Sequence, residues 1–171
     1  MISVIVLGKT SLRFSPDFEV IISTVKGHSA ARNVGAALAH GDILLFLDGD
    51  QSLKEGFFST LDLKLNEFKM TKVGKYPCSR AVLISKADFQ RVSGFDESLI
   101  DAPEDVDFYF RALDKGMRFS EFPNLFDHEE HRRPSHQYRK ILGNIKVGLK
   151  HIRRHPDYLK FELVRTIRQI L

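Results

Sequence analysis

The most constraining feature of the sequence is a short apolar run that ends in two carboxylates. Residues 43–47 carry no polar side chain, and they stand between Gly41 and Gly49. An uninterrupted apolar run between turn residues predicts a strand buried on both faces, as in a parallel sheet between helices. Asp48 and Asp50 follow at the carboxyl end of that strand, where open α/β sheets bind their ligands. Because two close carboxylates repel each other, this Asp-Gly-Asp segment predicts either a divalent cation site or an ordinary turn.

The composition is that of a globular protein with one domain. The 171 residues are 43% hydrophobic and 28% charged, which suffices for a core of their own. The single cysteine, Cys78, cannot form an internal disulfide and fits a reducing compartment. Residues 1–7 lack a basic start, so we expect a strand there and not a signal peptide. No apolar stretch approaches the ~20 residues of a membrane span. We therefore expect a cytoplasmic protein.

Charge is distributed unevenly along the chain. Residues 132–171 hold 11 Lys and Arg against 2 Asp and Glu, a net charge of +9, whereas residues 1–131 carry −5. The candidate catalytic acids lie in the acidic part. We expect no nucleic-acid partner, because an acidic cleft repels phosphates.

The rest of the chain alternates strands and helices. An apolar face recurs with helical or strand spacing in most segments. We predict strands at residues 2–7, 18–22, 43–47, 81–84 and, at an edge, 117–122; helices at residues 30–39, 57–68, 86–92, 105–115, 136–151 and 157–170; and no regular structure at residues 123–135. The polar connection at residues 70–76 is left unassigned. The strand, helix and strand of residues 18–47 predict a right-handed βαβ unit.

A second acidic cluster, Glu104-Asp105-Val106-Asp107, begins a predicted helix. Acidic residues in a first turn are stabilised by the helix dipole, so ordinary capping would explain them. Alternatively, one carboxylate serves as a general base, and geometry must decide which one reaches the proton. Asp107 is the member that we expect to be structural.

A third cluster, at residues 127–131, mixes imidazole and carboxylate groups. His128 and His131 stand among Asp127, Glu129 and Glu130. Such a set can complete the coordination of a divalent ion, or it can be a solvated loop with surface ion pairs.

These motifs, in their order, resemble a known family. The segments are Ser29-Ala-Ala-Arg-Asn-Val-Gly35, Gly41-Asp-Ile-Leu-Leu-Phe-Leu-Asp-Gly-Asp50, Val92-Ser-Gly-Phe-Asp-Glu97, Glu104-Asp-Val-Asp-Phe108 with Arg111 and Gly116, and then His128. Together they resemble a family 2 glycosyltransferase of the GT-A fold over residues 1–135. The resemblance implies a mostly parallel sheet flanked by helices, here followed by a helical tail at residues 136–171.

The resemblance also implies an activity: inverting transfer of a sugar from a UDP- or GDP-sugar to a hydroxyl of a glycan or lipid-linked acceptor, with Mn2+ or Mg2+ as cofactor. On this sequence it assigns Asp50 as the direct metal ligand and Asp48 to the ribose or sugar, beside the metal. Arg32 would lie near the nucleotide, Asp105 would deprotonate the acceptor and Glu104 would orient it. His128 would contact metal or diphosphate, with His131 as the spare candidate.

The N-terminal region departs from the family pattern. Residues 7–10 (Leu-Gly-Lys-Thr) replace the usual loop, the first crossover helix is missing, and Ser23 and Thr24 stand where acids hold the nucleoside. Two alternatives therefore stay open. One is a catalytically silent GT-A-like module that binds sugar nucleotides. The other is a nucleotidyltransferase, although the segment near Gly8 lacks a glycine-rich triphosphate loop.

The basic tail combines apolar spacing with cations. The apolar residues spaced for one helical face are Tyr138, Ile141, Leu142, Ile145 and Leu149, and the residues that supply charge are Arg139, Lys140, Lys146 and Lys150. A basic amphipathic helix can lie on an anionic membrane surface, here the inner face of the membrane. The alternatives are a helix packed on the core or a homodimer contact.

Overall fold

The computed structural model describes the chain apart from residues 11, 74, 100–102, 124–125, 129–136 and 171. Strands and helices alternate in the described part. The strands are β1 (Ile2–Leu7), β2 (Glu19–Ser23), β3 (Ile43–Asp48), β4 (Gln51–Leu53), β5 (Glu67–Val73), β6 (Tyr76–Ser85), β7 (Arg118–Glu121) and β8 (Phe126–His128). The helices are α1 (His28–Leu38), α2 (Lys86–Arg91), α3 (Glu104–Asp114), α4 (Gln137–Lys150) and α5 (Pro156–Ile170).

Six strands form one mixed sheet in the order β2-β1-β3-β6-β5-β7. The pairs β1 with β2, β1 with β3 and β5 with β7 are parallel. Strand β6 runs antiparallel to both β3 and β5. Strands β4 and β8 form a separate antiparallel pair. The predicted α/β sheet with helices around it is therefore confirmed, and β7 lies at the predicted edge.

Strand β3 is buried on both faces, as its composition predicts. Leu44 and Phe46 belong to one hydrophobic cluster, and Leu45 and Leu47 belong to another. All four side chains have no exposed surface. Helix α1 packs closely on one face because Gly35 leaves room for the Ile5 side chain. The carboxyl end of β3 is thus fixed in the sheet centre, with Asp48 as its last residue.

The helix predicted at residues 57–68 is wrong. A single 3-10 turn occupies Phe57–Thr60, and β5 begins at Glu67. The apolar residues of this segment do not share one face, because Phe57 and Leu61 pack on one side of the sheet and Phe68 on the other. Leu65 is 85% exposed. The apolar residues have helical spacing by chance, because they pack in two separate clusters.

Strands occur in the connection left unassigned at residues 70–76 and in the segment 123–135, which is predicted to be irregular. Residues 70–73 lie in β5 and Tyr76 begins β6, which pairs with β5. Along β5 the apolar Phe68 and Met70 alternate with the polar Lys69 and Thr71. That alternation is a strand signal. In the segment 123–135, residues 126–128 form β8, which pairs with β4 directly after the Asp-Gly-Asp segment.

The tail folds back onto the α/β body. Val147 of α4 and Tyr158 of α5 are buried in a cluster with Val106 and Phe110 of α3. The two predicted tail helices are confirmed, with a break before Pro156. Among the described residues, none of the helices combines the length and the apolar character that crossing a membrane requires.

Candidate active site

The buried side chain of Arg32 joins the first two acidic clusters. Its Nη2 donates to Asp48 Oδ1 at 3.0 Å, and its Nη1 donates to Glu104 Oε1 at 3.2 Å. Nη2 also donates to the Ser79 carbonyl at 3.2 Å. The carboxyl end of β3 and the start of α3, which are 56 positions apart in the sequence from Asp48 to Glu104, therefore meet across one guanidinium group.

Helix α1 positions Arg32 beneath the site. Ala31 and Gly35 are small, so the helix approaches the sheet closely and only 1% of Arg32 is exposed. The guanidinium carbon lies 5.0 Å from the centre of the Phe95 ring, which fixes it from another side. Because its terminal nitrogens bind protein oxygens, Arg32 acts on the site by orienting Asp48 and Glu104. Its predicted direct contact with a nucleotide stays a prediction.

Asp105 stands next to this ion-pair network at the start of α3. Its Oδ1 accepts a hydrogen bond from the Val106 backbone N–H at 2.8 Å, and the side chain is half-buried. Burial, together with the neighbouring Glu104 carboxylate, raises the pKa of Asp105 to about 7. A carboxylate with this pKa can accept a proton from an alcohol as a general base near neutral pH.

The Asp-Gly-Asp segment turns sharply at Gly49. The Gly49 N–H donates to the Leu7 carbonyl at 2.9 Å, and a Cβ at residue 49 would lie 2.6 Å from that carbonyl oxygen. Glycine is therefore required for the turn to close on the end of β1. Burial raises the pKa of Asp48, against the lowering effect of the Arg32 guanidinium. Asp50 is exposed.

The carboxylate of Asp50 is the group best suited to hold a metal. It is exposed, and it is a hard oxygen ligand of the kind that Mn2+ and Mg2+ prefer. One oxygen of Asp48 already binds Arg32. The side chain of Gln51, next in the chain, is 3% exposed, and neither amide atom has a hydrogen-bond partner among the described residues. These polar groups fit a divalent cation whose remaining ligands come from elsewhere.

The histidine predicted for this metal can be located only by its backbone. In the β4–β8 ladder, His128 is paired with Gln51, which brings its backbone beside the residue after Asp50. The His128 side chain and all of His131 lie outside the described residues. Among the residues that are described, no three His, Cys, Asp or Glu side chains form a group that could hold a metal by themselves.

His28 lies at the edge of the site, although none of the sequence motifs includes it. It is the first residue of α1, its side chain is 78% exposed, and its Nδ1 lies 3.8 Å from Glu104 Oε1. The signal in the sequence is its position at the start of α1, after the short loop that follows β2.

Asn33, next to Arg32, holds the loop that leads toward α3. Its side-chain oxygen accepts from the Phe95 N–H at 2.9 Å, and its amide nitrogen donates to the Phe95 carbonyl at 2.9 Å. Gly94 has a φ of +62°, and a Cβ there would meet the Asn33 side chain at 2.6 Å. The Ala-Arg-Asn segment thus organises both the acids and the loop beneath them.

Asp107 secures α3 to the tail. Its carboxylate accepts from Arg111 Nε at 2.7 Å and lies 2.8 Å from Lys150 Nζ and 2.9 Å from His151 Nε2. Although burial acts in the opposite direction, the hydrogen bonds from His151 and Lys150 hold the pKa of Asp107 far below its usual range. The division into residues 1–135 and 136–171 stays a prediction, but these contacts show that the tail supports the helix that carries Asp105.

The fold and the sequence were compared with known proteins. Residues 7–69 match the family model described as Glycosyl transferase family 2. No curated protein matches the sequence. A mutant of Drosophila β1,4-galactosyltransferase 7, solved with manganese, UDP-Gal and xylobiose, aligns over 81% of this chain and 78% of its own, with 12% identity and a TM-score of 0.57. A mannosyltransferase from Pyrobaculum calidifontis, solved with GDP-Man and Mn2+, aligns over 89% of this chain and 64% of its own, with 12% identity and a TM-score of 0.66.

The fold is that of the GT-A glycosyltransferases, because both solved structures share it over most of this chain. The family match to residues 7–69 includes α1 with Arg32 and the whole Asp-Gly-Asp segment. These findings confirm the predicted GT-A fold, and the match of residues 7–69 supports the predicted resemblance to the family 2 glycosyltransferases.

Proposed function

We propose that this protein transfers a sugar from a nucleotide-diphosphate donor to an acceptor hydroxyl with inversion at the anomeric carbon. The observation that supports the proposal most directly is the Arg32 bridge between Asp48 and Glu104. It brings the metal-binding and base candidates to one site. This spatial arrangement suits a donor on one side of the reacting carbon and an acceptor on the other.

Asp105 would act as the general base. Its pKa of about 7 keeps a useful fraction of the carboxylate ionised near neutral pH while leaving it basic enough to take the acceptor proton. Direct attack by the deprotonated oxygen, from the face opposite the departing diphosphate, would invert the anomeric centre. Glu104 would keep Asp105 oriented through its own bond to Arg32.

Asp50 would be the first protein ligand of Mn2+ or Mg2+, with Asp48 beside it and His128 as the further candidate. When bound, the cation would stabilise the negative charge that develops on the leaving diphosphate. The two structural neighbours were solved with manganese and with UDP-Gal or GDP-Man. We therefore propose a UDP- or GDP-sugar as donor, and a glycan or lipid-linked alcohol as acceptor. A cytoplasmic location stays a prediction.

The test compares Asp105→Asn with the unchanged protein and with Asp157→Asn, a control that makes the same chemical change at an exposed position of α5. Transfer from a panel of UDP- and GDP-sugars, with Mn2+ or Mg2+, is measured by release of the nucleoside diphosphate. We expect Asp105→Asn to lose transfer by about 10²-fold or more while donor binding survives, and Asp157→Asn to be unaffected. Asp50→Ala should weaken metal-dependent donor binding in calorimetry.

The alternatives predict other results. A silent binding module would bind donor without turnover in any variant. A nucleotidyltransferase would instead release pyrophosphate from a nucleoside triphosphate. No metal-dependent turnover across the whole donor panel, with suitable acceptors, would refute the proposed transfer.

A further inference from the structure

The outward side of α4 presents leucines where a solvated helix ordinarily carries polar residues. Gly143, Asn144, Val147 and Gly148 form its buried side. On the opposite side, Leu142 is 68% exposed and Leu149 is 57% exposed. These two leucines and the exposed Lys146 lie within about 60° of one another around the helix axis.

Helix α5 repeats the arrangement. Tyr158 and Glu162 form its buried side, at 1% and 3% exposure. Its outward side carries three exposed apolar residues and a lysine, which are Leu163, Val164, Ile167 and Lys160. We call the exposed residues Leu142, Lys146, Leu149, Lys160, Leu163, Val164 and Ile167 the tail surface.

Three cations on or beside the tail surface have no acidic partner in the part of the chain that the structure describes. Lys146, Arg153 and Lys160 are exposed and make no ion pair with any residue that the structure describes. The two acids of α5 contribute little, because Glu162 is buried against Asn144 and Arg165 and only Asp157 faces solvent.

From these contacts we infer that the tail surface binds an anionic lipid bilayer, with α4 and α5 lying along the membrane surface. Leucines flanked by lysines match both parts of such a surface, since the apolar side chains enter the acyl boundary while the lysines contact the headgroups. A second copy of the chain fits less well, because a symmetric contact would bring Lys146 and Lys160 of two copies together. The inference goes beyond the transfer reaction and does not depend on it.

The structure also indicates what such binding would do to the active site. Lys150 and His151 at the end of α4 hold Asp107, two residues from the candidate base Asp105. Helix α4, which carries part of the tail surface, is therefore bound to α3, which carries Asp105. A membrane-bound tail would keep α3, and with it Asp105, at a fixed distance from the bilayer.

The test is co-sedimentation of the full chain with two kinds of vesicle, pure phosphatidylcholine and an equimolar mixture with phosphatidylglycerol. We expect clear binding to the mixture, weak binding to pure phosphatidylcholine, and loss of binding at high salt. The double variant Leu142→Ser with Leu149→Ser should lower the partition coefficient about tenfold or more. Lys146→Gln and Lys160→Gln should each lower it about fivefold on the anionic vesicles.

The matched control is Leu65→Ser, which makes the same chemical change at an 85% exposed leucine outside the tail. It should bind vesicles like the unchanged protein. Circular dichroism checks that each variant folds, and the comparison of lipids needs no variant at all. The inference is overturned if the full chain at low salt binds vesicles with phosphatidylglycerol no better than pure phosphatidylcholine vesicles. It is equally overturned if the double leucine variant binds as well as Leu65→Ser. It is also overturned if sedimentation finds a dimer that the double leucine variant dissociates.

Discussion

The replacement of Arg32 by methionine gives the sharpest test of how the acids are held. Methionine has a similar length and no charge, so it fills most of the space while removing all three hydrogen bonds of the guanidinium. Asp48 and Glu104 would then face each other without a cation between them. The conservative variant Arg32→Lys keeps the charge but cannot bind both carboxylates through two separate nitrogens.

The structure sets the size of the effect. Removing one partner from a buried ion pair costs about 3–5 kcal/mol, because a charge is left without compensation. The side chains of Asp48 and Glu104 are 31% and 15% exposed, so water compensates part of that loss, and we expect about 3 kcal/mol for Arg32→Met. The cost should depend on pH. Burial already raises the pKa of Asp48 above its unfolded value, and removing the guanidinium would raise that pKa further, so the destabilisation caused by Arg32→Met is largest at neutral pH and diminishes as the acid is protonated.

Urea unfolding measures the loss of stability and its dependence on pH. The proteins compared are the unchanged protein, Arg32→Met and Arg32→Lys, each at neutral and at mildly acidic pH. We expect Arg32→Lys to fall between the other two. A stability loss that is the same at both pH values would show that Arg32 contributes by packing against Phe95 alone. No loss at neutral pH would refute the ion-pair network altogether.

Two further predictions concern α3. The rate of sugar transfer should fall below pH 7, by about tenfold for each further pH unit, because Asp105 with a pKa of about 7 must be ionised to accept the proton; a kcat/KM profile that stays flat from pH 5 to pH 8 would contradict this role. Asp107→Asn should destabilise the fold by about 3 kcal/mol at neutral pH, since it leaves Lys150 and His151 near an uncharged group. The lowered pKa of Asp107 gives stability that is present above the unfolded pKa and lost as pH falls, so this cost should shrink in acid, as denaturant unfolding can measure.

The central strand and the tail helices could be predicted because their signals are local. An apolar run bounded by glycines has one good solution, a strand buried on both faces, and β3 takes it. The helix predicted over residues 57–68 failed for a physical reason. Periodicity reports spacing along the chain but not which layer receives each side chain, and Phe57 and Phe68 enter different layers.

The residues of the candidate site were likewise predictable only where a sequence motif marks them. Asp48 and Asp50 could be singled out because carboxylates directly after a buried apolar strand are unusual in sequence. Glu104 and Asp105 could be singled out only because their motif resembles that of the family. Their partner could not be identified, because 72 positions separate Arg32 from Glu104 and no local pattern reports that contact. His28 was missed for the same reason, since only the fold brings it near Glu104.

The Arg32 network also bears on the shortened N-terminal region. The resemblance would place acids that hold a nucleoside where Ser23 and Thr24 stand, whereas the Gly49 N–H donates to the Leu7 carbonyl and holds the Asp-Gly-Asp turn against the end of β1. The parts of the site that would handle the diphosphate and the acceptor are therefore supported independently of the parts that would recognise the base. If donor affinity resides mainly in the diphosphate and its cation, UDP-sugar and GDP-sugar with the same sugar should bind the unchanged protein with about equal affinity in calorimetry, and Asp50→Ala should weaken both. A clear difference between the two affinities in the unchanged protein would mean that the base makes its own contacts.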